Sequence, residues 1–170
     1  IPGAGDSVEF TTSYTGTNYV DMNFTVASVY YNNTGMVHRT IINTGITLTV
    51  TNSLQTGNIA GSERTNTCVI IAGPGTLDLK GDLQISGTNS PASLLLDGCR
   101  FDVTDLDNVY PGAFGPGTLD LTNAVIVSAG ATNKFTTLGI FDPLIGGVTR
   151  LPSILTNIQI GADFSMQYTN

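Results

Sequence analysis

The segment Gly73-Pro74-Gly75-Thr76-Leu77-Asp78-Leu79 recurs letter for letter at Gly115–Leu121. An identical heptad written twice in 170 residues points to an architecture stacked from copies of one supersecondary unit. The likeness runs past the heptads: Leu77, Leu79, Leu83 and Ile85 match Leu119, Leu121, Val125 and Val127. Pro91–Gly98 aligns with Pro74–Gly81 and continues, after one inserted residue, to Phe101 and Val103. Leu48–Leu54 fits the same frame upstream, and Leu155–Ile160 fits it downstream with one residue missing.

The shared phrase is L-x-L, a two-residue corner, then a second alternating apolar pair. Each half has the period of a strand with one buried face. The corners are Thr51-Asn52, Lys80-Gly81, Asp97-Gly98, Thr122-Asn123 and Thr156-Asn157. Their second residue is always Asn or Gly, the types that tolerate a left-handed backbone, so each corner is expected to bend the chain through that conformation. Strand, corner, strand and loop make one rung of a solenoid. Copies beginning at Leu48, Leu77, Leu94 and Leu119 are 29, 17 and 25 residues apart, so loops of unequal length join similar rungs. A β-sandwich would not repeat one strand-corner-strand phrase, and no stretch has a helical period. The expected fold is all-β, a parallel β-helix (β-solenoid) of about five to six irregular rungs. It forms one domain over residues 1–170, with the repeat region at 46–165. Residues 1–45 fit the phrase less well and read as an N-terminal cap or as the first rungs.

The segments GTLDLTNAVIVSAG and LTNIQIG resemble rungs of right-handed parallel β-helices of the pectin-lyase-like kind. That group includes polysaccharide lyases and hydrolases, phage tailspikes and haemagglutinin-like surface adhesins. The resemblance covers roughly residues 45–165 and implies a fold; function must come from the site.

Charged residues are only 11% of the chain and the net charge is −7. The six basic residues, Arg39, Arg64, Lys80, Arg100, Lys134 and Arg150, are scattered singly. Nucleic acid and anionic membrane surfaces are therefore not expected partners, since both need clustered cations. No apolar run reaches the ~20 residues of a membrane-spanning helix. Few charges among many Thr, Ser, Asn and Gly residues suggest an extracellular, cell-surface or virion-surface setting. A chain beginning at Ile1 is expected either to arise by cleavage of a longer precursor or to start at an artificial boundary. Cys68 and Cys99 read either as a disulfide or as two small buried apolar residues.

Candidate chemistry is sparse. Asp78 and Asp120 occupy equivalent repeat positions between inward leucines, pointing outward on neighbouring faces. As an aligned pair they could serve as acid and base; otherwise they are two solvated residues, with no Arg or Lys recurring beside them. Asp102, Asp105 and Asp107, with Asn108, could supply oxygen ligands to Ca²⁺, or form a solvated turn. His38 is the lone histidine, a weak candidate for a metal ligand or base, and is expected to be structural or on the surface. Tyr14, Tyr19, Tyr30 and Tyr31 could contact a glycan or a neighbouring subunit, or fill strands. Sequons stand at Asn23 and Asn32. No catalytic residue, cofactor or resident metal is assigned.

The leading expectation is a non-enzymatic exported structural protein. It would assemble with copies of itself into a fibre or appendage through solenoid ends and terminal strands, around Ser7–Tyr14 and Phe164–Asn170. The alternatives are a glycan-binding adhesin or tailspike-like module and, more weakly, a polysaccharide lyase or hydrolase.

Overall fold

The computed structural model describes residues 1–11, 16–32, 37–56, 67–85, 92–102, 109–111, 117–127, 133–135, 148–150 and 158–160. The described elements are all strands: β1 (Ser7–Thr11), β2 (Thr17–Val20), β3 (Phe24–Asn32), β4 (Val37–Ile42), β5 (Thr47–Thr56), β6 (Thr67–Ala72), β7 (Thr76–Leu79), β8 (Asp82–Ile85), β9 (Ala92–Asp102), β10 (Val109–Pro111), β11 (Gly117–Val127), β12 (Asn133–Phe135), β13 (Val148–Arg150) and β14 (Ile158–Ile160). Every pairing among them is parallel. The chain is a parallel β-solenoid, as the repeats predict.

The pairings sort into three faces that the chain visits in a fixed cycle. Face A stacks 24–26, 47–50, 76–79, 100–102 and 125–127. Face B stacks 7–11, 28–32, 53–56, 82–85 and 109–111. Face C stacks 17–20, 37–42, 67–72, 92–97, 117–120 and 148–150. Residues 1–45 therefore contribute first rungs, in register with the rest. The remaining strands, β12 and β14, pair with each other in a separate two-stranded sheet.

Alternation decides what enters the core. Along β7 and β8, Leu77, Leu79, Leu83 and Ile85 are buried while the residues between them are partly exposed. The interior collects Val26, Leu48, Leu54, Ile71, Leu94 and Phe101, among others, in one cluster. Each such leucine or isoleucine contributes roughly 1.5–3 kcal/mol of burial.

The register also corrects the repeat frame. Leu77 stacks on Leu48 and Phe101, all on face A. Leu119 stacks on Leu94, on face C. The two identical heptads thus occupy different faces of the coil. Gly73-Pro74-Gly75 forms the corner from face C to face A, with a cis Gly73–Pro74 bond. In the second copy, the residues from Gly117 onward begin a strand of face C. One phrase serves both places because L-x-L with Asp between presents an apolar inside and a polar outside on any face.

The repeated corner therefore comprises two types. Thr51-Asn52 and Lys80-Gly81 turn from face A to face B; Asp97-Gly98 and Thr122-Asn123 turn from face C to face A. The left-handed expectation holds at Gly98, with φ of 71°. It fails at Gly81, whose φ lies outside that region. Glycine is required at Gly81 by close stacking instead: a Cβ there would collide with the Asn52 carbonyl, whose carbon would lie 2.6 Å away. A second left-handed glycine, Gly45 with φ of 74°, was not singled out by the repeat.

Candidate functional site

The N-terminal end of the coil is where edges, a cavity and aromatic side chains meet. Among the described residues, no strand lies beyond β1, β2 or the first half of β3. The edge of each face is thus open at this end. Between them lies a cavity of about 240 Å³, lined by residues including Val8, Phe10, Val20, Met22, Phe24 and Val29. Tyr19 and Met22 also line it and are 64% and 52% exposed. An interior that is closed by the next rung elsewhere is here open to solvent.

A polar chain through Asn18, Tyr31 and Thr40 forms part of the cavity wall and continues to His38. The Tyr31 hydroxyl and Thr40 Oγ1 are 2.8 Å apart, and Thr40 Oγ1 donates to Asn18 Oδ1 at 3.1 Å. Because the single Thr40 proton goes to Asn18, Tyr31 is the donor in the first bond. His38 Nε2 lies 2.7 Å from the same Asn18 oxygen, so Nε2 carries the proton and Asn18 accepts twice. The Phe10 and Tyr31 rings stack with centroids 5.0 Å apart, and both lie against His38, at 4.5 and 5.1 Å. Burial lowers the His38 pKa below its ordinary value, because the charged ring would lose water. Burial pushes the Tyr31 hydroxyl up to about 12, partly offset by Thr40. His38 is buried in the core and is not on the surface.

The carboxylates named from the sequence are not a matched pair. Asp78 and Asp120 both lie between buried leucines, on neighbouring faces as expected. They do not stack: Asp78 is in register with Thr49 and Asp102, and Asp120 with Leu95 and Arg150. The repeat made them equivalent only because it did not distinguish the faces. Asp78 accepts a hydrogen bond from Thr49 Oγ1 at 3.1 Å and lies 3.6 Å from Lys80 Nζ. The carboxylate neighbours that sequence reasoning missed are Asp78 and Asp102, whose juxtaposition follows from register alone. Asp105, Asp107 and Asn108 lie outside the described residues, so the Ca²⁺ reading rests here on Asp102 alone. Among the described residues no three His, Cys, Asp or Glu side chains converge on a metal position.

Both cysteines are free thiols. Cys99 is buried in the core, where desolvation pushes its pKa up to about 12. Cys68 stands half-buried on the outer side of face C. The disulfide reading is thereby corrected in favour of two unpaired thiols. Of the tyrosines, Tyr19 sits at the open end, Tyr30 is partly exposed on face B between Glu9 and Gln55, and Tyr31 is in the core. Tyr14 and Phe164–Asn170 lie outside the described residues. Asn23 is exposed and its Oδ1 accepts the Thr47 amide at 2.9 Å; Asn32 donates to Glu9. No helix is long and apolar enough to cross a membrane among the described residues.

No family model matches this chain, and no curated protein or solved structure matches it either.

Proposed function

We propose that the protein is a non-enzymatic structural subunit, exported to a cell or virion surface, that joins copies of itself end to end through its solenoid termini. The observation that supports this is the N-terminal end: open strand edges on three faces around an apolar cavity of about 240 Å³. Open edges pair with further strands, and a head-to-tail contact that does not close yields a filament. Negative-stain electron microscopy across a concentration series tests it. Filaments are expected from the unaltered chain. Tyr19→Glu/Met22→Glu, which charges two exposed rim residues, should stop growth without unfolding the protein. Isolated particles at every concentration, with the unaltered chain folded, would overturn the reading.

A second reading, glycan binding, is favoured by one feature. Glu9, Tyr30, Gln55 and Gln84 share one register ladder on the outside of face B, and an aromatic ring flanked by a carboxylate and an amide suits sugar faces and hydroxyls. Binding on a glycan array that Tyr30→Ala abolishes would support it. A uniformly negative array would end it.

A further inference from the structure

The outer side of face C differs from the other two. Face A carries Thr25, Thr49, Asp78 and Asp102 outward along one register ladder, and face B carries Glu9, Tyr30, Gln55 and Gln84. The central register ladder of face C reads Thr17, Arg39, Ile70, Leu95, Asp120 and Arg150 on successive rungs. The inward partners around these positions, such as Thr40, Val69, Leu94 and Leu119, are buried. Ile41 is a third apolar residue on the outer side, and Val37 is 52% exposed.

The middle four rungs of that ladder form a charge palindrome: cation, apolar, apolar, anion. A two-fold axis along the strand direction, midway between the Ile70 and Leu95 rungs, reverses rung order and keeps position along the strand. It sets Arg39 opposite the partner's Asp120, and Ile70 opposite the partner's Leu95, each contact occurring twice. The same axis sets Thr17 opposite the position of the partner's Arg150. A parallel face-to-face arrangement would instead set Arg39 on Arg39 and Asp120 on Asp120. We propose that face C is an isologous, antiparallel interface with a second copy of this chain. The charges need not be idle beforehand. Arg39 reaches Asp97 of its own chain at 3.5 Å with 43% of its side chain exposed, and Asp120 sits beside Arg150 in the register. Surface pairs of this kind contribute little energy but fix orientation.

Six rungs at about 4.8 Å and five residues at about 3.3 Å make a face of roughly 29 by 17 Å. Two such faces bury on the order of 1,000 Å², the lower limit for a specific interface. The dimer is therefore concentration-dependent. It also places the two Cys68 residues one rung apart across facing sheets, their Cα atoms about 11 Å apart.

Sedimentation equilibrium over a concentration series, with circular dichroism to verify folding, tests the proposal. The unaltered protein should show a monomer–dimer equilibrium, and Leu95→Asp should weaken it at least tenfold. Arg39→Asp and Asp120→Arg should each weaken it, while the double exchange restores it, a rescue that mere loss of stability would not give. A short bismaleimide should crosslink the dimer through Cys68 and fail with Cys68→Ser. Three results would overturn the proposal: no dimer at any concentration, a dimer indifferent to Leu95→Asp, or a monomer that Leu95→Asp unfolds, which would put the cover of face C within the chain. The end-to-end reading fails separately: face C dimers without filaments would refute that reading alone, and filaments indifferent to face C variants would refute this one alone.

Discussion

Gly81 and Gly98 stand at the same place in the repeat, and substituting them should have different consequences. At Gly81 an added Cβ meets the carbonyl group of Asn52 on the preceding rung, with the Asn52 Cα 3.0 Å away. The obstacle is backbone in a stacked ladder, which cannot swing aside as a side chain can. Overpacking typically costs 1–3 kcal/mol, and a backbone obstacle puts Gly81→Ala at the top of that range, about 3 kcal/mol. For a domain of this size that lowers the melting temperature by about 6–12 °C. At Gly98 nothing lies within 4 Å of the added carbon, and the only penalty is the φ of 71°. The left-handed penalty is about 1–2 kcal/mol, giving a loss of roughly 2–8 °C. Asparagine separates the two causes. It tolerates the left-handed region, so Gly98→Asn should recover much of the loss. It carries the same Cβ, so Gly81→Asn should be no better than alanine. Thermal melts followed by circular dichroism, with urea unfolding as a second measure, read all four variants. Equal losses at the two sites, or rescue of position 81 by asparagine, would refute the assignment of stacking to one corner and backbone conformation to the other.

Leu77→Ala, at a fully buried position of face A, should cost about 2–5 kcal/mol, whereas Asp78→Asn, one residue further along the strand and on its outer side, should change stability by under about 1 kcal/mol; urea midpoints compare them. Tyr31→Phe removes one buried hydrogen bond but leaves Thr40 bonded to Asn18, so a loss of about 1 kcal/mol is expected from the same measurement. His38 has a folded-state pKa below its ordinary 6.5. Above that value both states are neutral; as pH falls through it the unfolded chain takes the proton first, so stability drops until the lower folded pKa is reached. Unfolding free energies at pH 7.5 and 5.5 should diverge more for the unaltered protein than for His38→Gln, and an identical difference in both would remove His38 from the account.

Period-two alternation and corner residues made the rungs legible before any coordinates, because both are local consequences of strand geometry and backbone sterics. Leu77, Leu79, Leu83 and Ile85 were assigned inward on that basis, and they are buried. Composition likewise pointed away from clustered cations. Sequence could not determine which face each rung segment occupies. That depends on how many residues each corner and loop consumes, and so on stacking register between segments some 25 residues apart. The two GPGTLDL copies are identical as strings, yet one begins at a face C to face A corner and the other runs along face C. For the same reason Asp78 stacks with Asp102 and not with Asp120, Gly81 is required by Asn52 on the neighbouring rung, and Arg39, Ile70, Leu95 and Asp120 form a ladder that no linear spacing displays. Local chemistry wrote the rung, and the register between rungs decided which side chains became neighbours.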